Sequence, residues 1–236
     1  MAFGTTTIPR VDRIVGPGNA YVAEAKLQVA GACAIDSPAG PSELLIIADG
    51  SADADVLATE IIAQAEHDPL AAVVLVATEG VLLGQVERAV VRRLPGEARS
   101  DVIRDALSGR GALLLAESMD EALSFAAEFA PEHALAYCAD AEGVTSRLRN
   151  AGTIFVGGSS SVAFGDYMTG ANHVLPTGGL ARSYSGLSTL DFYRWTTWQR
   201  IDRTAAASLA EDVGVLADAE GLPGHAAAAR QWKETS

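Results

Sequence analysis

The sequence predicts an α/β protein built on a mostly parallel sheet, and three observations carry that prediction. Short apolar runs of strand length recur along the chain, at residues 44–48 (LLIIA), 72–77 (AVVLVA), 112–116 (ALLLA), 134–138 and 153–156 (TIFV). Stretches with helical apolar spacing separate them. The runs are continuously apolar instead of alternating, as expected of strands covered on both faces.

Taken in order, residues 11–15 (VDRIV) suit a short strand, and Pro17-Gly18-Asn19 turns the chain into a helix near 20–30. After the 44–48 strand, Ser51 or Asp53 can cap a helix whose Val56, Leu57, Ile61 and Ile62 share one face. A Val-, Leu- and Arg-rich helix over about 80–93 follows the second strand, and another follows at 101–107. Helices are expected again at 119–129 (MDEALSFAAEF) and near 142–149. From Gly157 to 187 the regular alternation stops. That segment is rich in Gly and Ser without periodicity and reads as one long irregular loop, a kind of segment that is commonly functional. Residues 189–200 are aromatic, 203–219 read as an Ala/Leu-rich helix, and 225–233 as a short final one.

The chain has 236 residues, 49% hydrophobic, enough to bury a substantial core and incompatible with a disordered protein. Its formal net charge of −13 argues against nucleic acid or an anionic membrane as the main partner. Cys33 and Cys138 sit in apolar surroundings without a second thiol nearby, so packing residues in a reducing compartment are expected. No apolar run reaches the roughly 20 residues of a membrane span, and the first residues do not have the form of a signal peptide. A cytoplasmic protein is the expectation. The opening residues run into VDRIV without a cap or tether and read as the middle of something.

Chemistry concentrates around the four histidines, each in a segment with a carboxylate or carboxamide: Gln64-Ala-Glu-His67, Pro131-Glu132-His133, Gly165-Asp166 through His173, and Glu220 through His225. Histidine both binds transition metals and titrates near neutral pH. Gln64 and His67 are spaced to project from one face at the end of a helix, where they can present two ligands to one metal. Equally, His67 can be a solvated residue favoured by the helix dipole. Glu132 and His133 offer a carboxylate and an imidazole for proton transfer, or simply a polar junction between helix and strand. Asp166 is a hard-oxygen ligand candidate or a turn former. The Gly16-Pro-Gly-Asn19 turn can aim backbone N–H groups at an anion, but it is not the dinucleotide fingerprint. Ser42, in a turn-rich segment before a strand, is a candidate substrate hydrogen-bond donor. No P-loop, nucleophile-elbow serine or CxxC pair is present.

Six stretches in order, VDRIVGPGNAYVAEAK (11–26), AIDSPAGPSELLIIAD (34–49), QAEHDP (64–69), APEHA (130–134), GDYMTGANHVLPTGG (165–179) and SGLSTLDF (185–192), resemble the histidinol dehydrogenase family. The resemblance implies NAD-linked oxidation of L-histidinol to L-histidine by two successive hydride transfers through an aldehyde, at the end of histidine biosynthesis. It implies one zinc per subunit that orients the substrate through its imidazole and amino nitrogens. By motif, Gln64, His67 and Asp166 resemble three zinc ligands, and His225 the fourth, contributed by the neighbouring subunit of a homodimer. Glu132 and His133 resemble the catalytic pair, with His133 as hydroxyl base and Glu132 as activator of the water that attacks the aldehyde. Ser42, His173 and Glu220 resemble substrate contacts, and Asn19 a cofactor contact.

The same resemblance implies incomplete Rossmann-like sheet layers flanked by helices, in an aldehyde-dehydrogenase-like architecture. Residues 1–42 would be the end of a second Rossmann-like domain. Residues 43–187 would be the C-terminal half of a first, catalytic and zinc-binding domain, and 188–236 a small helical tail exchanged within the dimer. Family members are much longer at the N-terminus, so the chain is expected to be a fragment, a late-called start or half of a split enzyme, and to bind NAD poorly alone. The Gly157–Phe164 stretch departs from the Ser-Pro form expected before Gly-Asp-Tyr. A related dehydrogenase of another small alcohol is therefore an alternative. A truncated, non-catalytic chain needing a partner polypeptide is another. A zinc hydrolase is disfavoured by the absence of a His-x-x-x-His helix.

Overall fold

The computed structural model describes residues 1–233 and divides into two compact units, Met1–Phe192 and Tyr193–Ser236. The first unit contains five parallel strands: β3 (Glu43–Ala48), β4 (Ala72–Ala77), β5 (Gly111–Leu115), β6 (His133–Tyr137) and β7 (Thr153–Val156), in the order β5-β4-β3-β6-β7. A second, two-stranded parallel sheet pairs β1 (Arg13–Ile14) with β2 (Ala34–Ile35) around helix α1 (Ala20–Val29). The strand order follows from chain direction. The chain leaves β3 outward through β4 to β5, then returns to the other side of β3 for β6 and β7. Parallel crossovers keep one hand, so this reversal puts helices on both faces.

The core is two layers, one on each side of the sheet. Leu44, Ile46 and Ala48 of β3 point to the side that buries Leu57 and Ile61 of α2 (Ala54–Ala65), Val86 of α3 (Gly80–Arg93) and Ile103 of α4 (Ser100–Arg110). Leu45 and Ile47 point the other way, onto Ala122, Leu123 and Ala126 of α5 (Met119–Phe129) and Val144 of α6 (Ala141–Arg147). This alternation explains why LLIIA carries no polar residue: strand β3 is central and both its faces are core. Strand β5, at the edge, alternates half-buried and exposed residues instead.

Helix starts are set by short polar side chains. Asp53 Oδ1 accepts from the Asp55 and Val56 amides at the head of α2, so of the two cap candidates Asp53 serves. Ser118 caps α5 by accepting from the Glu121 amide, and the Glu121 carboxylate reaches back to the Glu117 amide. Helix α5 ends at Ala130 in the left-handed region (φ 49°). The chain can then turn through Pro131 straight into β6.

Four elements differ from the sequence reading. The 157–187 segment, expected to be irregular throughout, contains a six-residue helix, α7 (Val162–Tyr167), and a 3-10 turn at Leu180–Arg182. Only Val162 and Gly165 of α7 are buried, too few to leave a period in the sequence. The Gly165 position lies so close to the Phe155 ring that a Cβ would sit 2.6 Å from it. Strand β2 is also new, because two residues carry no recognisable pattern. The second unit comprises α8 (Arg203–Ala219), capped by Asp202, and α9 (Pro223–Arg230), which starts earlier than expected because proline is well placed in a first helical turn. Cys33 and Cys138 are buried free thiols. Among the described residues, no helix is long and apolar enough to cross a membrane.

Candidate active site

Functional side chains gather at the amino-terminal edge of the five-stranded sheet. Ser42 directly precedes β3, and His133 opens β6, where it is in register with Leu44. Gln64 lies in the last turn of α2. His67 lies beyond the Glu66 C-cap, so only Gln64 of that pair is helical, although the His67 amide still reaches the Gln64 carbonyl at 3.4 Å. Asp166 is carried by α7, and His173 by the loop that follows it. Ligand sites in open parallel sheets usually lie at the carboxyl ends of strands. Here the opposite edge holds the polar groups, because α2, α7 and the β1–β2 lobe all deliver residues to it.

These groups line one cavity of about 310 Å³. Seven of the ten residues singled out from the sequence are in its wall: Ser42, Gln64, His67, Glu132, His133, Asp166 and His173. Pro17 and Gly18 of the β1–β2 lobe close one side, and Val174 and Leu175 supply apolar surface. Asn19 lines an adjoining depression shared with Ser42 and His67. Its side-chain oxygen caps α1, accepting from the Tyr21 and Val22 amides, which leaves its amino group outward as a donor. Glu220 and His225 belong to the second unit, at the end of α8 and the start of α9.

The Gly16–Asn19 turn is pinned from within. Lys26 and Asp36 form a buried ion pair at 2.7 Å, with side chains 5% and 2% exposed. Asp36 accepts from the Gly16 amide at 2.8 Å while Lys26 donates to the Gly16 carbonyl. The Gly16 N–H, a candidate anion donor from sequence, is thus already used.

Burial dominates the electrostatics. Glu132 is pushed up to about 8, first by burial and then by the neighbouring Glu43 and Asp166 carboxylates, against the opposing hydrogen bond from the Glu43 amide. It is largely protonated at neutral pH. His133 is shifted the other way: burial lowers its pKa, and the attraction of Asp166 only partly offsets this. Its imidazole is therefore neutral. His133 Nδ1 lies 3.2 Å from the Glu43 carbonyl oxygen, which can only accept, so the ring proton sits on Nδ1. The bare Nε2 then faces the cavity, 4.0 Å from Asp166 Oδ1. The Phe155 ring, with its centroid 5.9 Å away, holds the imidazole from one side. The arrangement offers a neutral base beside a protonated carboxylic acid.

Gln64, His67 and Asp166 offer an amide oxygen, an imidazole nitrogen and a carboxylate oxygen to the same cavity, an N/O donor set of the kind zinc accepts. Gln64 is only 3% exposed, an unusual depth for a carboxamide unless its polar end serves the cavity. Among the described residues, no three His, Cys, Asp or Glu side chains cluster as a metal site. The set here has two of those residue types plus an amide.

Sequence reasoning passed over Glu43, although it quoted the segment that contains it. The available signal was a carboxylate at the first position of an otherwise apolar strand.

The histidinol dehydrogenase family profile matches residues 1–232. The chain is 49% identical to histidinol dehydrogenase of Methanosarcina mazei over 226 residues, which are 96% of this chain and 52% of that protein. It is 48% identical to the Halobacterium salinarum enzyme of the same name, covering 96% of this chain and 53% of the relative. The crystal structure of histidinol dehydrogenase from Elizabethkingia anophelis superposes with a TM-score of 0.91 at 36% identity, over 98% of this chain and 54% of that one. An acetylating aldehyde dehydrogenase from Geobacillus thermoglucosidasius, 11% identical with a TM-score of 0.52, shares the fold alone. The chain spans about half the length of the curated relatives it matches.

Proposed function

This chain belongs to the histidinol dehydrogenase family, and we propose that its cavity is the site at which L-histidinol is oxidised to L-histidine with NAD as hydride acceptor. One observation carries the reading: a neutral His133 with a fixed tautomer stands beside a buried, protonated Glu132 in a cavity that also holds an N/O metal-donor set. Gln64, His67 and Asp166 would hold zinc, with His225 of a second subunit as the fourth ligand in a homodimer. When bound, zinc fixes the substrate's nitrogens and NAD accepts the hydride; the protons are handled by this chain.

Loss of hydride from an alcohol carbon requires the hydroxyl proton to leave. His133 Nε2 takes it, since burial keeps the ring neutral and the Glu43 carbonyl holds the other nitrogen protonated. The second oxidation starts from the aldehyde and needs water to add to the carbonyl carbon. Glu132, once deprotonated, takes a proton from that water as its oxygen bonds to the carbonyl carbon, while the His133 imidazolium left by the first oxidation gives its proton to the carbonyl oxygen. The resulting hydrate then presents a hydroxyl that the neutral His133 deprotonates as the second hydride leaves. Ser42 and His173 bind and orient the polar end of the substrate, and Leu175 and Val174 exclude water from one wall. Asn19 provides an amide donor at the cofactor edge.

The reading is tested by NADH formation with L-histidinol and zinc. His133→Asn should retain zinc and lose turnover by about 10²–10⁴-fold, the usual worth of a positioned proton acceptor. Normal NADH production in that variant would remove His133 from the mechanism.

A further inference from the structure

We propose that Glu43 is a positioning residue for the catalytic pair: its carboxylate holds the backbone of Glu132 and of the Gly178 turn together, so one side chain sets the spacing between the proton-transferring residues and the loop that carries His173. The proposal rests on the reading of the cavity as the oxidation site.

Four hydrogen bonds support it. Glu43 Oε1 accepts from the Gly178 amide at 2.9 Å, and Glu43 Oε2 accepts from the Glu132 amide at 3.4 Å. In return the Glu43 amide donates to Glu132 Oε2 at 2.9 Å, and its carbonyl receives His133 Nδ1–H at 3.2 Å. Residues 43, 132–133 and 178 are far apart in sequence but meet at one strand end. Gly178 and Gly179 both have left-handed backbones (φ 65° and 75°), which glycine adopts readily, and the Gly178 amide within that turn is held by Glu43. A second tether, the Gly40 amide donating to Thr177 Oγ1, ties the same turn to the segment just before Ser42.

A purely structural bridge here would be expected to avoid a charge. Glu43 is half-buried beside Glu132, and burial raises its own pKa, so a charge at this position is costly. Both its oxygens are nevertheless used as acceptors, which a neutral amide of the same shape cannot reproduce. A misplacement of about 1 Å in reacting groups costs on the order of 10²-fold in rate. Removing the carboxylate frees the Glu132 amide from a part-buried hydrogen bond and the Gly178 amide from an exposed one, and exchange at each should rise by roughly tenfold.

The test uses Glu43→Ala and Glu43→Gln in the whole chain, with zinc, read by amide hydrogen exchange, thermal unfolding and steady-state kinetics. Glu43→Ala should lose protection at both Glu132 and Gly178, while Glu43→Gln, with one acceptor left, keeps protection at one of the two. In the alanine variant kcat should fall about 10²-fold with KM for histidinol changed by less than about threefold, and the glutamine variant should recover part of kcat. Folded variants with unchanged protection at both amides would overturn the proposal. So would lost protection with kcat intact, or a KM rise that accounts for the whole loss. If the unaltered chain shows no histidinol turnover, the proposed function fails on that arm, while the exchange arm still decides whether Glu43 clamps the two segments.

Discussion

Replacing Glu132 by glutamine should make the protein more stable than wild type at alkaline pH, and the size of that effect follows from the cavity. In the folded protein Glu132 titrates at about 8, against an ordinary value of 4.5. The folded state therefore binds a proton more tightly than the unfolded state does. Stability from this group is fully present below about 4.5, is lost progressively as pH rises, and is gone above about 8. The interval from 4.5 to about 8, at about 1.4 kcal/mol per pH unit, sets an upper limit of about 5 kcal/mol. Relaxation and water entry bring the expected value to about 2–5 kcal/mol. The glutamine side chain of Glu132→Gln would keep the acceptor for the Glu43 amide and mimic the protonated acid, so the variant escapes this loss. Urea unfolding in the presence of a chelator, at pH values from about 5 to 9, measures it. The variant and wild type should be close at about pH 5, the variant's lead should grow from there to about pH 8, and it should level off above that. A difference that stays flat within about 0.5 kcal/mol across the range would refute the buried, protonated Glu132. The same titration gives the rate profile: turnover of the wild-type site should rise with a limb near pH about 8, where Glu132 becomes able to act as a base.

Other perturbations act on the scaffold of the site. Gly152→Ala places a Cβ 2.6 Å from the Glu132 carbonyl oxygen, so it should cost about 1–3 kcal/mol by chemical denaturation and displace the catalytic pair. Lys26→Met leaves Asp36 buried without its partner and should cost about 3–5 kcal/mol, with increased exchange at the Gly16 amide that Asp36 now holds.

The layered sheet was legible because β3 and β4 are central strands, and a central strand of a parallel sheet is apolar at every position. Helices α2, α5 and α8 were equally legible from composition and spacing, and each starts on a short polar cap, Asp53, Ser118 and Asp202. Strands β1 and β2 were less so: Arg13 pairs with Ala34 across a helix, and two-residue strands leave no period. Helix α7 went unseen because it hides only two residues. For the cavity, motifs and resemblance named the residues, but not which edge of the sheet they share. That edge is set by where α2 ends, where α7 starts and where the β1–β2 lobe folds back. A link such as Glu60 of α2 accepting from the Val162 amide at the head of α7 joins segments 102 positions apart and has no signature in sequence. The protonation states were also invisible, since they come from burial and from neighbouring carboxylates assembled by the fold.

Everything proposed for the cavity depends on Gln64, His67 and Asp166 bringing a metal to the place where histidinol binds beside His133. Calorimetric titration of L-histidinol into the protein, with and without zinc, tests this most directly, using His67→Asn as the comparison. Binding should require zinc and be lost in His67→Asn, while His133→Asn still binds both. Histidinol binding that is indifferent to zinc, or zinc uptake unchanged in His67→Asn, would contradict it.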